Sequence, residues 1–244
     1  MALPSIILPE YRIKLLTSDK EITIRPFTVK EEKILLMAAE SNNKEIVYAI
    51  RQIIQNCAKG DFNIDELDFF ELIYIFLHIK KVSSGEEITC KITEGKDEYI
   101  AKCNLNEDIV VDGLENLKKF GEPIQITGND VYVSVRPMKF KDYIKLVTMF
   151  DINDPEKLDK VNFMYTSLLL TFDRIFTKES SFDPRDYTME ELSQFYESFP
   201  QGDKNKIQEK YNNLPRISLR FHYRDKNGVN KTKNIEKADF NFFG

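Results

Sequence analysis

The chain has 244 residues, of which 42% are hydrophobic, 12% aromatic and 31% charged, with a net charge of −5. That length suits one large domain or two small ones, and the composition excludes collagen-like, disulfide-scaffold and low-complexity classes. No apolar run approaches the ~20 residues of a membrane-spanning helix, and the negative charge argues against general nucleic-acid binding, though not against a local basic patch.

Residues 1–9 lack a basic start and a long apolar core, so a secretory signal is not expected. Leu8-Pro9-Glu10-Tyr11 reads as an extended arm. Glu21 to Arg25 alternates as a strand, and Pro26 stops it. Thr28 with Glu31 spells a capping box, predicting a helix to about Glu40. Ile46, Ala49, Ile50, Ile53, Ile54 and Cys57 recur at three and four residues, predicting a second helix that Lys59-Gly60 breaks. A third is predicted from Glu66 to Val82. A hairpin follows, from Glu87 to Leu105 around Gly95-Lys96, with a short strand near Val110.

After Gly121 the order begins again. Val131 to Val135 reads as a strand cut by Arg136-Pro137, and Lys139 to Phe150 as helix. Pro155 is placed at a helix start after Asp154. The apolar stripe through Val161, Met164, Leu168, Phe172, Ile175 and Phe176 predicts one helix to about Thr177. Thr188 and Glu191 spell a second capping box, with Tyr187 and Leu192 placed as a hydrophobic staple. Lys204 to Asn213 reads as a polar helix ended by Pro215. Ile217 to Ile235 is a hairpin turning at Asn227-Gly228.

These elements predict an α+β fold of two similar lobes, residues 1–112 and 129–244, joined over 113–128. Ile22 to Phe27 aligns with Val133 to Met138, each ending strand, Arg, Pro. Internal duplication explains that match; coincidence explains it too, since a strand ending in Arg-Pro before a helix is a cheap pattern.

Chemistry-bearing residues are scarce. The cysteines are Cys57, Cys90 and Cys103, with no C-x-x-C pair, and the histidines are His78 and His222. An odd, sparse cysteine set suits reduced thiols better than a disulfide framework, and no zinc spacing is present. Both histidines fall in apolar or alternating runs that read as structural. Phosphate-loop, dinucleotide and nucleophile-elbow motifs are missing. No enzyme, cofactor, metal or small-molecule site is therefore expected. Residues 204–237 carry ten Lys or Arg against three acids. A basic hairpin could meet nucleic acid or an acidic protein surface, but the alternation of Arg216, Ser218, Arg220, His222 and Arg224 with apolar residues is also that of any one-sided sheet.

One resemblance goes further. Leu3-Pro4, Leu8-Pro9-Glu10-Tyr11, Ile24-Arg25-Pro26-Phe27 and the run Val29 to Ala38 resemble the baseplate hub subunit family of T-even-type contractile-tail phages. Ile53 to Cys57, Asp68 to Leu77, Ser84-Gly85-Glu86 and the closing Asp239 to Gly244 look like later blocks of that family. The resemblance implies a non-enzymatic structural or assembly protein of the tail hub in the virion, present in the host cytoplasm during assembly. Its implied partners are other tail or hub proteins, the tape measure protein among them. Homo-oligomerisation stays open, and no membrane or cofactor is implied. Some relatives carry paired cysteines near the final hairpin; residues 221–228 have none, so no structural metal is expected there. Candidate partner-binding residues are Leu8, Pro9 and Tyr11 of the arm, Phe240, Phe242 and Phe243 of the tail, and Arg25 and Arg136. The two arginines could hold carboxylates of a partner or tie a neighbouring loop of their own fold.

Overall fold

The computed structural model describes residues 4, 6–41, 43–117, 121–150 and 156–235. The fold is α+β: seven α-helices and twelve strands in three antiparallel sheets among the described residues. Contacts divide the chain into two compact units. Unit 1 takes Met1–Ile64, Phe70–Asp112 and Ile217–Gly244; unit 2 takes Asp65–Phe69 and Gly113–Arg216.

In unit 1, β1 (Tyr11–Lys14) and β2 (Glu21–Ile24) pair as a hairpin, and β3 (Ala58–Lys59) pairs with the other side of β2. Helices α1 (Val29–Ala39), α2 (Asn43–Cys57) and α3 (Phe69–Ser84) follow the predicted periodicity. The three-and-four spacing in α2 puts Ile46, Ile50, Ile53 and Ile54 in the core, and Leu72, Ile75, Phe76 and Ile79 of α3 are equally buried. Each such side chain contributes about 1.5–3 kcal/mol on burial. Helix α3 starts later than expected because Ile64–Glu66 closes a separate 3-10 turn. Next come β4 (Glu87–Glu94), β5 (Asp97–Asn104) and the short β6 (Ile109–Asp112). The β4–β5 turn needs Gly95 at φ +65°, a region other residues enter only with strain.

Unit 2 holds β7 (Ile124–Gln125), β8 (Tyr132–Val135), β9 (Phe172–Phe176) and β10 (Ser181–Phe182), ordered β10-β9-β8-β7. Its helices are α4 (Phe140–Met149), α5 (Lys160–Leu169), α6 (Met189–Glu197) and α7 (Gln201–Asn212). Val133, Leu168, Phe172, Tyr196 and Ile207 sit in its core. The single helix expected to reach Thr177 is corrected here: α5 ends at Leu169 and β9 begins at Phe172. The register explains the misreading. Val135 pairs with Phe172 but Ser134 with Arg174, so Asp173 is an extra, bulged residue. The bulge turns both Phe172 and Ile175 inward, and their spacing of three imitates a helix. The helix start placed at Pro155 lies outside the described residues.

The last hairpin, β11 (Arg216–Arg224) and β12 (Asn230–Ile235), joins the sheet of unit 1 in the order β12-β11-β5-β4, with β6 also on β11. The compact units record packing and do not mark where a sequence repeat begins or ends.

Each unit contains the same two latches. Arg25, at the end of β2, donates from Nη1 to Pro26 O at 2.8 Å and from Nη2 to Glu31 Oε1 at 2.9 Å. Arg136, at the end of β8, donates to Pro137 O at 3.0 Å and to Asp142 Oδ2 at 2.8 Å. Both acids occupy the third position of the next helix and are buried. The second latch pins a hairpin turn. Thr17 donates its N–H and hydroxyl to Glu71 at 2.9 and 2.6 Å, and Thr127 donates the same pair to Asp203 at 2.8 and 2.9 Å. Glu71 and Asp203, each 1% exposed, again stand third in their helices, α3 and α7. A carboxylate there meets the positive end of the helix dipole and is supplied with donors, which is what a buried charge requires.

Removing one partner of such a pair strands a buried charge. Arg25→Ala and Arg136→Ala are each expected to destabilise the fold by about 3 kcal/mol in urea unfolding. A loss below about 0.5 kcal/mol would show that Glu31 or Asp142 is held by other groups.

Candidate partner-binding surfaces

The arm lies open. Ile6 and Ile7 are 87% and 92% exposed, Leu8 is half-buried, Pro9 is exposed, and Tyr11, 43% exposed, opens β1. Glu10 ties the arm's end to the fold through Lys59 at 3.0 Å. Arg25 and Arg136 are engaged within their own chain by the latches described above, in each case on the first turn of the following helix. Phe240, Phe242 and Phe243 lie outside the described residues.

Two cations of the basic hairpin meet acids on the spot. Lys231 meets Glu94 at 3.2 Å and Asp225 at 3.6 Å, Lys226 meets Asp97 at 3.0 Å, and Lys102 of β5 meets Glu87 at 2.9 Å. Ile217, Leu219, Phe221 and Tyr223 are buried, whereas His222 and Arg224 are exposed, as a one-sided sheet demands. Ser218 departs from that alternation and is buried. The acids of β4, β5 and the hairpin turn thus offset part of the hairpin's local excess of charge.

Two concave features escaped the sequence reading. In unit 2 an apolar cleft of about 460 Å3 lies beside β9, β10 and α6, lined by Val131, Phe182, Tyr187 and Phe195 among others. In unit 1 a groove of about 350 Å3 runs between β1 and α3. Neither brings together a nucleophile, a base and an acid. Only tertiary placement could have revealed them: β1 and α3 are distant in sequence, and the consecutive β9, β10 and α6 are joined in the cleft by Val131 from well before them.

A family model described as T4 bacteriophage base plate protein matches residues 8–243. The chain belongs to that family. No curated protein and no solved structure matches it. Family membership places this protein in the phage baseplate, in the tail of the virion, and supports a structural role among other baseplate proteins.

Several titratable groups of this baseplate protein are engaged within its fold. Cys57 and Cys103 are buried, and burial pushes their thiols up to about 11 and about 12, which disfavours the reactive thiolate. No cluster of three or more metal-ligating side chains occurs among the described residues, and no helix there is long and apolar enough to cross a membrane. His222 Nε2 lies 2.7 Å from Asp108 Oδ1. Burial opposes ionisation of Asp108, but hydrogen bonds from His222 and the Asn104 N–H outweigh it and lower its pKa. His78 lies on α3 with its ring edge-on to Tyr74 at 4.4 Å; burial, and secondarily Lys81, push its pKa down to about 4. For Glu31, burial would raise the pKa, but hydrogen bonds from Thr28 and Arg25 together bring it down to about 2.

These shifts predict acid lability in two steps. A neutral His78 favours the folded state above its ordinary value of 6.5, and that stability is lost as pH falls from 6.5 to about 4. The Glu31 contribution is present above 4.5 and is lost as pH falls towards about 2. His78→Gln is expected to flatten the upper part of the pH–stability profile and leave the lower part in place. An unchanged slope between 6.5 and 4 would remove His78 from the account.

Proposed function

We propose that this protein is a building block of the central hub of a contractile-tail baseplate, held there by protein–protein interfaces and performing no catalysis. The observation that carries the reading is the arm: two adjacent isoleucines almost wholly exposed, ahead of a strand that anchors them to the fold. Adjacent apolar side chains in that state favour burial against another chain, and an arm that orders on binding can wrap a partner. The matched pairs of latches support reading the chain as an internal duplication. The lobes of that duplication would then follow the order strand, Arg-Pro, helices, hairpin in residues 1–112 and 129–244, even though the second hairpin packs in unit 1. A transient assembly factor, acting for example on the tape measure protein, is the alternative within the same family.

Quantitative mass spectrometry of purified particles separates the two. A hub component is expected at a few to a dozen copies per virion; absence from particles, with abundance in infected-cell lysate, selects the assembly factor. Ile6→Asp/Ile7→Asp is expected to lower incorporation into particles while shifting unfolding by no more than about 0.5 kcal/mol. Normal incorporation would take the arm out of the interface.

A further inference from the structure

The first sheet of unit 1 ends in an open edge. Its order is β1-β2-β3, so β1 has a neighbour on one side only. Leu15 N–H donates to Lys20 O at 2.9 Å, and the register pairs Ile13 with Ile22 and Tyr11 with Ile24. Hydrogen-bonded pairs alternate in an antiparallel ladder, so Arg12 and Lys14 turn their N–H and C=O groups outward. No partner for these groups occurs among the described residues.

The groove between β1 and α3 runs along this edge. Arg12, Lys14 and Lys81 bring three cations to it, Tyr74 and His78 form part of its α3 wall, and none of its lining residues is acidic. Lys14 is held by Asp19 at 2.6 Å and stands opposite Glu21. Arg12 and Lys81 form no ion pair among the described residues, so the unbalanced charge of the groove is theirs.

Unit 2 treats the matching position differently. His78 stands seven residues after the buried acid Glu71; Lys210 stands seven after Asp203 and donates to the carbonyl of Glu122, just ahead of β7. A lysine there lies on the main chain, whereas in unit 1 the place beside the strand is left open. The edge strand β12 differs again: its residues 230–234 are all exposed, and Lys231 is paired with Glu94, the arrangement of an edge guarded by charge.

We propose that the β1 edge and its groove dock an extended, acidic segment of another baseplate protein, which adds to β1 as a strand and sets carboxylates on Arg12 and Lys81. Outward main-chain groups supply strand pairing, and the cations select for acid; the Arg12 guanidinium can hold a carboxylate by two parallel bonds. A nucleic acid would use the cations but not the row of amides and carbonyls, so a peptide fits the whole site better. The inference rests on reading the chain as a baseplate protein that works through partners.

The test uses the full chain and a short fluorescent peptide alternating glutamate and valine, a probe that does not depend on the partner's identity. The expected result is at least about tenfold tighter binding than its glutamine–valine counterpart, and about tenfold weakening by Arg12→Glu/Lys81→Glu. Lys233→Glu on β12 should change neither figure. N-methylation of alternate peptide residues on one strand edge should abolish binding, and methylation of the other edge should not. Should the double charge reversal fail to fold by circular dichroism, Arg12→Gln/Lys81→Gln replaces it, with a loss of about threefold expected. Equal affinity for the two peptides, indifference to either variant or to methylation, or tighter and equally variant-sensitive binding of an oligothymidylate would each overturn the proposal. Particle mass spectrometry tests hub membership separately, so a chain absent from virions that still binds the peptide refutes that reading and leaves the groove standing.

Discussion

Four buried carboxylates, each at the third position of a helix, organise this protein. Glu31 and Asp142 take an arginine from the strand before them; Glu71 and Asp203 take the main-chain and hydroxyl donors of a threonine in a distant hairpin turn. A desolvated charge tolerates little misplacement, because losing a donor strands it in a poor solvent. The geometry of strand end, hairpin turn and helix start in each unit is therefore specified by charge placement as much as by apolar packing. The helix dipole adds to the preference without needing a further side chain.

That economy leaves the rest of the surface free for contact. The thiols of Cys57 and Cys103 are buried and hard to ionise, His78 is edge-on to a tyrosine, and His222 is taken by Asp108. Two of the hairpin cations, Lys226 and Lys231, meet acids nearby. What stays open is an apolar arm, a cationic groove beside an unpaired strand edge, and an apolar cleft in unit 2. These are surfaces for contact, which suits a structural role among other baseplate proteins.

The two units also show how one local plan reaches different ends. Position by position their latches agree, yet Glu31 also closes a capping box with Thr28, whereas Asp142 follows a lysine at the helix cap. The final hairpin, which by element order follows the helices of unit 2, packs against β5 of unit 1. Most strand neighbours here follow chain order, but the pairing of β11 with β5 does not.

The sequence alone determined much of this protein wherever the signal is local. The capping boxes at Thr28 and Thr188, the spacing of Ile46 to Ile54, the glycines at turns 95 and 228 and the paired Arg-Pro strand ends are short-range chemistry, and the α+β class follows from them. Family membership was legible in the same runs. The tertiary structure decided what depends on distant partners. It ended α5 at Leu169, because a bulge at Asp173 copies helical spacing and only pairing with β8 reveals a strand. It gave Glu71 and Asp203 their donors, since their threonines are far away in the chain. It also left the β1 edge open beside Arg12 and Lys81: an unpaired edge is a property of neighbours, and no window of sequence contains its own neighbours across a sheet.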